Sequence, residues 1–274
     1  MKNRNVSVDL FRFLAALSIM FLHTCWGLDD SLLNAYPIIG IVIGRYPVIL
    51  FFTISGYYCF LQISKGRNAA KTQIRSLLKV YCVWTVVYYL MSFVLNVAAG
   101  HEPVGKFFAE RVLYFFTEGS YPHLWYVVSL IYVMILICLV YELCGEKGIR
   151  ILAAVSMILF MIGVLGTSYL PLGEQIPVLG DFYGWKYYFV FRNIFCLGLP
   201  GVMFGYYIVR LLPVIEKRPK LAETGFFITS VLGMIEGMLV IQKGWISDFP
   251  SMFLMPFVLI FGCLLYTSDA ADEL

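Results

Sequence analysis

The sequence predicts an all-α integral membrane protein, a polytopic bundle of transmembrane helices. Three observations predict it. Apolar residues make up 61% of the 274-residue chain and charged residues only 14%, against about 25% charged in a soluble domain. The mean hydropathy is +0.83, which leaves too little polar material to coat a water-soluble globule. Charge-free runs long enough to cross the hydrocarbon core, roughly 20 residues each, recur along the whole chain. The net charge of +3 gives no reason to expect a nucleic-acid partner, so membrane lipid is the expected surrounding.

The first run extends from about Val8 to Leu28. Lys2 and Arg4 before it give it the look of a signal peptide. Asp9 and Arg12 interrupt the apolar stretch, and no small-residue cleavage site follows, so it reads as a retained first helix. Further runs cover 46–64, 80–100, 119–141, 151–173, 193–209 and 249–268, and another spans 222–241, broken only by Glu236. About eight transmembrane helices are therefore expected.

Lys and Arg fix the expected orientation, because cytoplasmic loops carry an excess of them. With a cytoplasmic N-terminus, thirteen of the 20 basic residues fall inside and four outside, namely Lys106, Arg111, Lys186 and Lys243. Arg12, Arg45 and Arg192 lie within or at the edge of helices. The outside loops are the longer ones. Residues 101–122 include KFFAERVLYFF, an amphipathic stretch suited to lying along an interface, and residues 171–190 are rich in Pro, Gly and Tyr. These loops either shape an external site or pack over the bundle.

Seven cysteines (Cys25, Cys59, Cys82, Cys138, Cys144, Cys196 and Cys263) sit mostly within apolar stretches, without metal-site or disulfide-framework spacing. They read as small packing residues, and no metal site is expected. The ending CLLYTSDAADE looks like the conceptual translation of a transposase adaptor used in preparing sequencing libraries. The natural sequence is therefore expected to stop near Gly262, with 263–274 an artefact.

The segment VDLFRFLAALSIMFLHT concentrates the chemistry. Asp9, Arg12 and His23 all fall on the first helix, and a charge within the membrane costs roughly 2.5–3.5 kcal/mol on insertion scales, so its default reading is functional. Asp9 precedes Arg12 by three residues, the spacing of a same-face pair. Arg12 and His23, eleven residues apart, share a face at a separation of about 16 Å. The bland alternative is that Asp9 and Arg12 anchor the interface while His23 bonds a neighbouring helix.

The remaining polar positions each carry two readings. Glu236, mid-helix in VLGMIEGMLV, either orients His23 or binds a substrate, or else forms a satisfied interhelical hydrogen bond. Ser55 beside Gly56 is more suited to close helix packing than to nucleophilic attack. His123, beside Trp125, has the setting of a structural interface residue. Arg192 with Asn193 either contacts an acceptor or anchors its helix to headgroups, and Arg45 before Pro47 poses the same alternative.

Taken in order, these segments resemble the membrane acyltransferase 3 family. Asp9, Arg12 and His23 match its first-helix pattern of Arg, ten residues, then His. PVILFFTISGYY is similar to its Phe-Phe-x-x-Ser-Gly segment, through Phe51, Phe52, Ser55 and Gly56. A basic stretch with Arg75 follows, then HLWYVVSLI (His123, Leu124, Trp125, Tyr126). FRNIFCLGLPGVMFGYYI resembles the family's Gly-Leu-Pro region, through Arg192, Asn193, Gly198, Pro200 and Gly205. The resemblance runs from about residue 6 to 262, so residues 1–262 form the expected acyltransferase-3-like domain. The family's bundle of about ten helices implies that two are missing at the C-terminus. The chain is also similar to the membrane half of the membrane-bound serine and alanine racemases of glycopeptide resistance.

The resemblance implies an O-acyltransferase in the bacterial cytoplasmic membrane. It would move an acyl group, commonly acetyl, from acyl-CoA to a hydroxyl of an extracytoplasmic glycan or other cell-envelope acceptor. Acyl-CoA enters as donor substrate, with no bound cofactor. Arg12, held by Asp9 and supplemented by Arg75, would bind the CoA phosphates. His23 would accept the hydroxyl proton or carry the acyl group covalently. Glu236, Arg192 and Ser55 are candidates for the acceptor site. The alternative is a non-enzymatic transport or amino-acid-supply module like that of the membrane-bound racemases.

Overall fold

In the computed structural model the described residues are 6–25, 46–64, 69–215, 217, 219–245, 252 and 254. No β-strand occurs among them. Helix α1 covers Val6–Cys25, α2 Tyr46–Ile63 and α3 Ala69–Ser92, which runs on as a π-helical turn over Phe93–Ala98. The amphipathic stretch forms α4, Val104–Phe116. After a 3-10 turn at Pro122–Leu124 comes the long α5, Trp125–Leu165. Three short helices follow: α6 (Leu170–Gly173), α7 (Pro177–Tyr183) and α8 (Tyr188–Phe191). A π-helical stretch, Arg192–Gly198, joins α8 to α9, Leu199–Ile215, and α10 covers Pro219–Gln242.

Five helical stretches among the described residues are long and apolar enough to cross a membrane: Tyr46–Ile63, Ala70–Ala98, Pro122–Leu165, Tyr188–Pro213 and Glu223–Gln242. The third is two helices joined at a break. Gly145 takes φ 58° and ψ −149° there, outside helical space, a conformation that a side chain would strain. Ion pairs flank the break, with Glu142 meeting Lys71 of α3 at 2.5 Å and Glu146 meeting Arg210 of α9 at 2.6 Å. The end of the bundle holding these pairs is the near end, and the opposite end carries α4 and α6 to α8.

Boundaries differ from the hydropathy reading for physical reasons. The run placed at 80–100 begins at Ala69, because Lys71, Arg75 and Lys79 lie on an exposed face while Ala70 and Tyr81 are buried. Averaging over a window hides such a turn. The run at 119–141 starts its helix only at Trp125, after Pro122 opens a turn. The run at 193–209 begins at Tyr188 and ends at Ile215. The run at 249–268 lies outside the described residues, save Met252 and Leu254.

The core sits where α2, α5 and α9 meet. Phe52, Val133, Met134, Ile137, Val202 and Met203 are fully buried in one cluster. Within the apolar windows, 56% of α2 and 61% of the stretch through α9 is buried, against 11% of α3 and 17% of α10. The outer helices therefore turn apolar faces outward, including Val83, Val86 and Leu90 on α3 and Phe227, Val231 and Met238 on α10. In a bilayer those faces meet lipid at no solvation cost, the reverse of their cost in water. The protein is an all-α membrane bundle.

Candidate functional site

Helix α1 lies against α2 through Ala15, which is buried in the core. Arg12, one turn before Ala15 on the same face, pairs with Asp9 at 3.9 Å. The pairing expected from their spacing therefore forms. Both groups stay partly open, with side chains 46% and 34% exposed. The charge of Arg12 reaches the hydroxyls of Tyr58 on α2 and Tyr126 on α5. Tyr126 in turn hydrogen-bonds the Ser55 side chain, whose own hydroxyl donates to the Phe51 carbonyl at 2.8 Å. The ring of Tyr126 sits against Phe52, with centroids 4.5 Å apart.

Around the Arg12 guanidinium, Asp9 thus makes an ion pair, Tyr58 and Tyr126 lie within reach of its charge, and Ser55 joins through Tyr126. Gln73 of α3 reaches the same region, donating from Nε2 to the Ser55 carbonyl at 3.5 Å, while its buried Oε1 has no partner among the described residues. Arg75 is exposed on α3, near Lys71. His23 lies on α1, two residues before its end, but its side chain is outside the described residues.

Glu236 lies elsewhere. It is 8% exposed and its Oε1 accepts from the Tyr169 hydroxyl at 2.9 Å and the Leu254 amide at 2.7 Å. Burial, and then the Glu236 charge, push the Tyr169 hydroxyl well above its ordinary range, which keeps it a donor. The neighbouring Thr167 hydroxyl accepts from the Met252 amide at 3.1 Å. Glu236 therefore ties α10 to the α5–α6 turn and to residues 252–254, the satisfied interhelical role that was one of its two readings.

Arg192 is 2% exposed, the largest fully buried side chain among the described residues. This corrects the headgroup-anchor reading, because a guanidinium so enclosed cannot sit among lipid phosphates. Arg192 donates from Nε and Nη2 to Asn193 Oδ1, at 3.3 and 2.9 Å, and stacks over Phe189 at 4.8 Å. It lines a far-end cavity of about 310 Å³ with Glu174, Tyr183, Trp185, Lys186 and Tyr188. Phe189 also borders a second cavity of about 430 Å³, which Arg111, Tyr114, Glu118, Tyr121 and Trp125 line. There Arg111 pairs with Glu102 at 3.9 Å and stacks over Phe107 at 4.9 Å. The loops over 101–122 and 171–190 thus enclose space. His123 donates to or accepts from the Tyr88 hydroxyl at 2.8 Å, a contact that joins α3 to the turn before α5.

Sequence reasoning named Arg12, Asp9 and Ser55 but missed Tyr126, Tyr58 and Gln73 as their neighbours. Tyr126 stood within HLWYVVSLI, and only the fold shows that this segment meets Phe51, Phe52 and Ser55. Tyr188 was missed altogether, since one tyrosine among 19 carries no signal by itself.

Residues 5–271 match the family described as "Acyltransferase domain" (Acyl_transf_3). The chain is 28% identical over 273 residues to a serine/alanine racemase of Enterococcus gallinarum, covering 94% of this chain and 36% of the relative. It is 27% identical over 210 residues to an amino-acid racemase of Enterococcus faecalis, covering 73% and 29%. The chain therefore spans about a third of the length of these relatives. No solved structure matches. A match over nearly the whole chain, on a helical membrane bundle with Asp9, Arg12, Ser55 and Gly56 in their expected order, establishes that the chain belongs to the acyltransferase 3 family.

Proposed function

We propose that the chain is the membrane domain of an O-acyltransferase that moves an acyl group, in the first instance acetyl, from acyl-CoA to a hydroxyl of an extracytoplasmic glycan or other cell-envelope acceptor. The observation that carries this is the setting of Arg12, a half-open guanidinium steadied by Asp9, with the hydroxyls of Tyr58 and Tyr126 within reach of its charge and Ser55 bonded to Tyr126. A planar guanidinium binds phosphate through paired N–H donors, so it suits the phosphates of CoA. With the N-terminus in the cytoplasm of a bacterial cell, this end faces the supply of donor, and Arg75 adds charge at the approach. The far-end cavities then open toward the acceptor.

In the reaction the acceptor oxygen attacks the thioester carbonyl carbon. The C–O bond forms, the C–S bond breaks, and CoA leaves as a thiolate. His23 takes the hydroxyl proton and returns it to the thiolate, the role an imidazole suits best among side chains. The same imidazole would also serve as a transient acyl carrier, with the acceptor attacking in a second step.

The names of the relatives favour a second reading. Both are racemases, and the matched region is only about a third of each. The shared membrane part would then move an amino acid or support its supply, with no acyl chemistry.

The test is His23→Ala and His23→Gln in the complete protein, at matched membrane abundance, with acylation of envelope glycan as readout. Both variants should be inactive, because an amide hydrogen-bonds but does not take up a proton at neutral pH. Full acylation by His23→Gln would remove the histidine from the chemistry, whereas no acylation by the wild type would leave the transport reading in its place.

A further inference from the structure

The cavity beside Arg192 has features of a built site. Its volume of about 310 Å³ is at the lower end for small-ligand pockets, roughly 300–1,000 Å³, the size of one sugar residue. Two cations, Arg192 and Lys186, line it against one carboxylate, Glu174, so its walls carry a net positive charge. Arg192 is almost wholly buried, where low dielectric strengthens any attraction to an anion. Trp185, Tyr183 and Tyr188 supply aromatic walls.

Tyr188 provides the second, independent observation. It is 8% exposed, and its buried hydroxyl has no hydrogen-bond partner among the described residues. A buried hydroxyl left unpaired costs about 1–3 kcal/mol, which a ligand acceptor would recover. The hydroxyl fills the place where a side chain at residue 166 would stand, so Gly166, also lining the cavity, is what admits it there. Nearby, burial pushes the Tyr183 hydroxyl up to about 12, so it remains protonated, donating to the Ile162 carbonyl at 3.0 Å.

We propose that this cavity binds an oxyanion on a sugar-sized ligand, with Arg192 and Tyr188 as its donors, Lys186 at the mouth and an aromatic wall for the ring. A guanidinium and a phenol complement either a carboxylate or a phosphate. The inference deepens the acceptor side of the proposed acyl transfer and rests on that reading for the ligand's role, though not for binding itself.

The experiment titrates the full chain in lipid nanodiscs, without acyl-CoA, with D-glucuronate, inorganic phosphate and neutral D-glucose. Trp185 fluorescence and thermal stability are the readouts. Glucuronate or phosphate should saturate a signal that glucose does not produce, and the stronger of the two identifies the oxyanion. Trp185→Phe should lose the fluorescence change but keep the thermal shift. Arg192→Gln should weaken binding about 10-fold or more, the loss expected for a charge-assisted hydrogen bond. Should that variant fail to fold, Tyr188→Phe, which only removes the hydroxyl, should weaken binding several-fold. An unchanged affinity in either folded variant, or no response of the wild type to either anion, overturns the proposal. Anion binding that persists while acyl transfer is absent would overturn the catalytic reading alone.

Discussion

Gly56 of α2 and Gly205 of α9 meet main chain to main chain. A Cβ added to Gly56 would collide with the Val202 carbonyl, and one added to Gly205 would collide with the Tyr57 amide nitrogen. The two helices can therefore approach to backbone contact, as small residues permit in membranes. This crossing holds Ser55 one residue away from the interface and sets its position relative to Tyr126.

Either Gly56→Ala or Gly205→Ala should therefore destabilise the bundle, by about 1–3 kcal/mol or more, the cost of overpacking. Gly225→Ala, at a site where an added Cβ meets nothing within 4 Å, is the control. Thermal unfolding in detergent, followed by size-exclusion chromatography, measures the difference. Equal stability of all three variants would contradict the packing.

Donor binding should depend on the shape of Arg12 as well as its charge. Arg12→Lys should weaken acyl-CoA binding, because an ammonium lacks the planar fork. Asp9→Asn should do less harm than Arg12→Ala, since the pair is half-exposed and long at 3.9 Å. Equilibrium binding of acyl-CoA to the purified protein measures both, and unchanged affinity in Arg12→Ala would place the donor elsewhere.

Orientation is testable by labelling. The basic residues divide thirteen to four, so a cysteine replacing Lys71 should be shielded from an impermeant reagent applied outside. One replacing Lys106 should react. The reverse pattern would invert the bundle, and with it the donor and acceptor ends.

Glu236 should act as a structural tie. Glu236→Leu strands the Tyr169 hydroxyl and the Leu254 amide, at about 1–3 kcal/mol for each unpaired group. Glu236→Gln keeps an acceptor oxygen and should lose much less. Thermal stability reads both, and a Leu variant as stable as the wild type would release Glu236 from this role.

The legible parts of the fold were those set by hydropathy and by local spacing. Apolar runs gave the helices, and the Asp9–Arg12 pair followed from a three-residue interval. What stayed hidden depends on contacts distant in sequence. Ser55 meets Tyr126 across 71 positions, and Glu236 meets Tyr169 across 67; no periodicity reports either. Hydropathy also misjudged α3, whose first turns bury Ala70 under a cover of lysine and arginine. For Arg192, proximity to a helix end suggested an interface, whereas the fold wraps the far-end segments around it.

The π-helical stretch at 192–198 has a consequence for that arginine. Wider turns in such a stretch absorb residues that an α-helix would spend advancing, so they set the angular phase between α8 and α9. Each residue of an α-helix turns the chain by about 100°. Removing one residue, such as Ile194, would close the ladder into regular α-helix and swing the Arg192 side chain by about that angle, out of its cavity wall. No contact of Arg192 would have been mutated, yet its direction would change. The aim of this guanidinium is therefore fixed by how many residues lie between it and Leu199, a property that substitution leaves untouched and a single deletion erases.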